Sequence, residues 1–181
     1  MPQTDEDLAV FAQLSAEVQA TYVVAGTDPW EASPFAWIKK EPSRRVGAIG
    51  EALVRAWARH EGISVSPAVD SGHDCVLDGI RVEVKFSTLW ASGDLVFQQI
   101  RDQSYQVAAL LGIEPQSARL WVVQKHVIWE QASGQHTGAA AVDTKWLRFR
   151  ATSPPEWLAP CGGTLAEGRA ALEEARRSLG L

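Results

Sequence analysis

At 181 residues, with 46% hydrophobic and 22% charged positions, the chain has the make-up of one ordinary globular domain with enough length to bury a core. No apolar run approaches the ~18 residues of a membrane span, and the acidic opening (Met1 to Asp7) does not resemble a secretory leader. The net charge of −5 argues against indiscriminate coating of nucleic acid but leaves room for local basic patches.

Two cysteines, Cys75 and Cys161, lie far apart, and no Cys or His spacing matches a zinc site, so a reducing cytoplasmic setting is expected. The eight tryptophans are read mainly as core or interface anchors.

In chain order, residues 5–25 read as a helix, capped by Thr4 with Leu8, Phe11, Leu14, Val18 and Tyr22 at helical spacing. Residues 26–42 carry prolines at 29, 34 and 42 and read as an irregular arm. A second helix is expected from a Ser43 cap to Glu61, stopped by Gly62, with Val46, Ile49, Leu53, Trp57 and His60 as its apolar stripe. A short strand near 63–66 precedes a hairpin over 73–87. Residues 95–111 are expected to contain a helix starting near Gln98 or Gln99 and ending at Gly112. Residues 119–124 read as a buried strand, 126–131 as a helical turn, 146–149 as a strand and 165–179 as a closing helix. The expected division is an arm (1–42), a core (43–125) and an extension packed on that core (126–181).

The hairpin carries the chemistry. Asp78-Gly79 is a strong two-residue turn signal, because a type I′ turn needs positive φ at both positions. With that turn, Leu77 pairs with Ile80, Val76 with Arg81, Cys75 with Val82, and Asp74 with Glu83. Alternation then gives one apolar face (Cys75, Leu77, Ile80, Val82, Val84, Phe86) and one face bearing Asp74, Val76, Arg81, Glu83 and Lys85. Opposed carboxylates ~5 Å apart repel, and a hard divalent cation between them would offset that repulsion. On an isolated strand such a face is an ordinary salt-bridge surface, with Arg81 and Lys85 neutralising the acids. The order of surrounding elements shifts the balance towards a site.

That order, with Asp74 and then Glu83-Val84-Lys85, resembles the PD-(D/E)XK nuclease superfamily across residues 44–125. The resemblance implies an α/β fold with a restriction endonuclease-like αβββαβ core, a mixed central sheet flanked by helices. It also implies Mg²⁺-dependent hydrolysis of DNA phosphodiesters, Mn²⁺ being able to substitute. Asp74 and Glu83 would hold the metal, Glu51 would support it directly or through water, and Lys85 would position the attacking water. An i,i+4 surface pair with Arg55 is the competing reading of Glu51, and the hairpin tips it towards the metal role. His73 replaces the motif's proline, and the Gln-x-x-x-Tyr signature of recombination exonucleases is not met by Gln99 and Tyr105.

Candidate nucleic-acid contacts are Lys39, Lys40, Arg44 and Arg45 for phosphates, and Gln98 and Gln99 beside the site. Gln135, His136, Thr137 and Lys145 are further candidates for base edges or phosphates. Ordinary surface charge and a polar loop are the competing readings of these groups. His73 is placed as a neighbour of Asp74, and His60 and His126 as structural. The expected partner is duplex DNA, with a homodimer if cleavage is sequence-specific. The expected activity is a restriction-like or defence endonuclease. A structure-specific repair or junction nuclease and a non-catalytic nucleic-acid-binding domain on the same fold are the alternatives.

Overall fold

The computed structural model describes residue 10 and residues 12–18, 28–134 and 144–181. The chain divides into two compact units, 1–31 and 32–181. In the first, residues 12–18 are helical, within the expected 5–25 helix; most of that helix lies outside the described residues.

The second unit contains helices α1 (Ser43–His60), α2 (Lys125–Gln131) and α3 (Leu165–Ser178). Its strands are β1 (Val65–Pro67), β2 (Cys75–Leu77), β3 (Ile80–Thr88), β4 (Asp94–Ile100), β5 (Val107–Glu114), β6 (Ser117–Gln124), β7 (Ser133–Gly134) and β8 (Lys145–Arg150). Among the described residues, five strands form a mixed sheet in the order β1-β2-β3-β5-β6, and three form a second sheet, β4-β8-β7. No helix described is long and apolar enough to cross a membrane.

The hairpin forms as its turn chemistry dictates. Asp78 and Gly79 take φ of 46° and 87°, and the pairs Leu77–Ile80, Val76–Arg81 and Cys75–Val82 are all present. Asp78 is further fixed by a 2.8 Å bond from the Ser64 amide to its Oδ1. Cys75, Leu77, Ile80, Val82 and Val84 are buried, and burial pushes the Cys75 thiol up to about 11, so it stays an unreactive core group.

The ladder stops one pair short of expectation. Asp74 donates its N–H to the Val82 carbonyl at 2.9 Å instead of pairing with Glu83.

The larger departure lies between residues 95 and 111. The expected helix is absent: β4 occupies 94–100, and β5 runs parallel to β3. The αβββαβ order therefore gives way to a connection that passes through a strand of the second sheet. Gly112 is no helix stop. It lies within β5, where a Cβ would meet Leu95 Cδ1 at 2.6 Å, so the missing side chain makes room for the overlying sheet.

The core fills the space between the two sheets. Leu95 and Phe97 of β4 and Leu147 and Phe149 of β8 pack with Leu110 and Trp121 of β5 and β6. Trp121 and Phe149 meet edge-on at 5.5 Å between centroids, a favourable aromatic geometry. Residues 126–181 thus supply β7 and β8 to the second sheet, while α3 packs along β6.

Helix α1 begins after Pro42, with Ser43 as its first residue and no side-chain cap, and Gly62 at φ 75° follows its end. The face it buries is Gly50, Val54 and Ala58, one position round from the expected stripe, and His60 is exposed. Small residues face the sheet because α1 sits close: a Cβ on Gly50 would lie 2.3 Å from Phe86 Cβ. α3 carries a complete capping box between Thr164 and Glu167.

Candidate active site

Close approach of α1 to β3, together with the second sheet, leaves an open cleft of about 410 Å³. Its lining includes Glu51 from α1, Asp74 from the hairpin, Glu83 and Lys85 from β3, and Gln98 and Gln99 from β4. Residues 32 positions apart in the chain, Glu51 and Glu83, therefore share one cavity with their expected companions.

Glu83 is only 6% exposed, and its Oε1 lies 2.7 Å from Lys85 Nζ. Burial raises the Glu83 carboxyl above the usual carboxylate range. Lys85 opposes that shift through charge and hydrogen bonding, while the nearby charges of Asp74 and Glu51 reinforce it. A buried acid among like charges, balanced by one lysine in an open cleft, is an arrangement that costs stability.

Asp74 is held differently. Its Oδ2 accepts the Val84 N–H at 2.7 Å, so the acid is turned back onto β3. The direct opposition expected of Asp74 and Glu83 is replaced by this backbone bond. Arg55 then joins helix to hairpin, with Nη2 3.1 Å from Glu51 Oε2 and Nη1 3.1 Å from the Asp74 carbonyl. Glu51 pairs with Arg55, as the i,i+4 reading has it, and it also lines the cleft.

The donor set can be compared with what a divalent ion needs. Among the described residues no group of three or more His, Cys, Asp or Glu side chains gathers as a ready metal cage. Asp74, Glu83 and Glu51 are each engaged through a single carboxylate oxygen. Hard oxygen donors in an open cleft fit Mg²⁺, which keeps several waters and takes one or two carboxylates plus substrate oxygens.

Gln98 and Gln99 do not cap a helix. They sit at an irregularity in the pairing of β4 with β8, between Phe97 and Ile100, and Gln99 takes φ of 56°, rare for a residue with a side chain. A bulge re-aims side chains, and here it delivers both glutamines to the cleft. Ser87 secures the junction of the sheets by accepting the buried Val96 N–H at 2.9 Å.

The other predicted residues are more scattered. Lys39, on a 3-10 turn over Ala36–Lys40, donates to Thr88 at the cleft's edge at 3.4 Å. Lys40 and Arg44 are exposed, and Arg45 is exposed with a 3.3 Å pair to Glu41. Lys145 is not among the cleft-lining residues. It donates to the Trp129 carbonyl and lies 4.3 Å from that ring's centroid. Gln135, His136 and Thr137 lie outside the described residues. His73 is buried and bonds Asp70 at 3.1 Å and the Val69 amide, not Asp74.

Trp90 lines the cleft at 43% exposure and was not singled out from the sequence. It sits in a turn closed by Gly93 N–H to Trp90 O and Trp90 N–H to Asp94 O, both 2.9 Å. A single tryptophan among eight carries no signal in the sequence of which way its ring faces.

No family model matches the sequence, and no curated protein does. Among solved structures the chain is similar to a bacterial homing endonuclease, I-Ssp6803I, at 14% identity and a TM-score of 0.49. The alignment covers 77% of this chain and 99% of that one. So distant a likeness carries no functional weight.

Proposed function

We propose that this chain is a Mg²⁺-dependent endonuclease acting on DNA phosphodiester bonds. The observation that carries the reading is the 2.7 Å ion pair between buried Glu83 and partly buried Lys85, in an open cleft that Asp74 and Glu51 also line. Burying the Glu83 carboxylate beside an open cleft costs the fold stability, and such placements recur where acids do chemistry, which supports the reading.

Asp74 and Glu83 would hold the ion, with Glu51 supporting it through water, and Mn²⁺ would substitute. When bound, the ion would activate water and offset charge on the phosphate. Lys85 orients the attacking water and steadies the negative charge that builds on the phosphoryl oxygens. Glu83 holds the Lys85 ammonium in place, and Arg55 fixes Glu51 against the hairpin. Lys39 and the neighbouring exposed cations Lys40 and Arg44 receive flanking phosphates, which makes affinity fall with salt. Restriction or defence is the setting we favour, in the cytoplasm and as a homodimer where the target is two-fold symmetric.

One observation favours the non-catalytic alternative: the described residues hold no preassembled metal cage. Incubating the protein with Mg²⁺ and duplex, single-stranded or branched DNA separates the readings. Strand cutting that is lost in Lys85→Ala and Glu83→Gln supports the nuclease. Cutting retained by both variants sinks the mechanism, and no heat of Mn²⁺ binding by calorimetry would favour the silent domain.

A further inference from the structure

Strand β8 alternates: Leu147 and Phe149 point into the core, so Arg148 and Arg150 point to the opposite face. Register fixes what lies beside them. Arg148 pairs with Val96 and Arg150 with Asp94 on β4, and antiparallel partners share a face. Val96 lines the catalytic cleft, as does Gln98 two residues along the same face. Arg148 and Arg150 therefore extend the cleft's surface outward across the second sheet.

Both guanidiniums converge on one carboxylate. Arg148 donates to Asp94 Oδ2 through Nε at 2.8 Å and through Nη2, and Arg150 Nε lies 3.5 Å from Asp94 Oδ1. Ser92 Oγ bonds the same carboxylate at 2.9 Å, and Arg150 also donates to the Ser92 carbonyl. Asp94 is 5% exposed, whereas the two arginine side chains are 60% and 65% exposed. The hydrogen bond from Arg148, then that from Ser92, keeps the Asp94 carboxyl below its ordinary range, so it stays an anion. Two cations on one buried anion leave a surplus positive charge, held in a fixed orientation and open to solvent. Arg148 Nη1 and Arg150 Nη2 stay clear of these bonds and can donate to a phosphate, and pre-ordering reduces the entropy lost on gripping it.

We propose that Arg148 and Arg150 form a phosphate clamp that grips the substrate backbone beyond the scissile position, the strand running from the cleft across the β4–β8 face. The assignment rests on the nuclease reading above. It adds a substrate track on the second sheet, distinct from the lysines and arginines preceding and opening α1.

The test measures binding of a fluorescein-labelled DNA duplex by anisotropy across about 50 to 200 mM salt. It uses a Lys85→Ala background with Mg²⁺ present, in which slowed cleavage leaves the duplex uncut over the minutes of the reading, as a gel of the recovered DNA checks. R148Q/R150Q should weaken binding about 10-fold and flatten the log–log salt slope by roughly 1 to 2, at ~0.9 for each phosphate no longer neutralised. R148K/R150K should retain the slope, because charge persists. If the arginines only pin the 89–94 turn through Asp94, R148Q/R150Q will lower the melting temperature and leave the slope unchanged. That result overturns the clamp. Failure of the unmodified protein to cut or bind any DNA would instead overturn the nuclease reading, and the clamp with it.

Discussion

Strand β4 serves two regions with opposite requirements. Leu95 and Phe97 enter the core between the sheets, where shape and apolar area hold the fold together. Val96 and Gln98, alternating with them, line a polar cleft where the Glu83 carboxylate is buried against a partly buried Lys85. The core gains stability from each side chain it buries, while the cleft gives some of it up. The difference is the physical ground for the proposed site: it lies where the chain tolerates an unfavourable burial.

Breaking the core should cost most. Phe97→Ala removes a fully buried ring that meets Trp121 and Phe149, and about 3–5 kcal/mol of stability should go with it, read by denaturant or thermal unfolding. Breaking the cleft should instead cost activity. Lys85→Ala should slow cleavage by about 10² to 10³-fold, measured under single-turnover conditions.

The same contrast has a pH signature. Glu83 has a raised carboxyl pKa, so it protonates on acidification before an ordinary glutamate does, and cleavage should fall along that limb. The stability sign is opposite. A raised folded-state value means the site favours the protonated form, so the stabilising contribution is present below the unfolded value and is lost as pH rises through the folded one. At neutral pH Glu83→Gln combined with Lys85→Met should therefore abolish cutting yet melt no lower than the parent protein. A clear fall in melting temperature would show that the pair serves the fold after all.

Gly50→Ala couples the regions. Its Cβ would sit 2.3 Å from Phe86 Cβ, so α1 must lift away from β3, at a cost of roughly 1–3 kcal/mol, carrying Glu51 out of position. Both unfolding midpoint and cleavage rate should drop together. Gln99→Gly should have the smallest effect, a gain of ~1 kcal/mol from relieving the positive φ, with altered substrate affinity as one cleft side chain is removed.

The hairpin was legible because everything that specifies it is local. Asp78-Gly79 dictates the turn, and strict alternation then dictates which side chains share a face. That Asp74 shares a cleft with Glu83 and Lys85 was legible, but its geometry was not, since its backbone shift and its bond to Val84 arise after the ladder ends. The span 95–111 misled because Leu95, Val96, Phe97 and the following apolar run fit a buried helix as well as two buried strands. Gly112 looked like punctuation and was a packing position.

By itself the sequence determined the turn, the two-faced hairpin, the span of α1 and the trio of Asp74, Glu83 and Lys85. These depend on dihedral preferences and on neighbours a few residues away. Tertiary structure alone decided that β4 leaves the main sheet, that α1 presses Gly50 onto Phe86, and that a bulge brings Gln98 and Gln99 into the cleft. It also set Arg148 beside Val96, from segments about 50 residues apart in the chain. Such pairings depend on which distant surfaces fill each other's space, and no local preference along the chain encodes that choice.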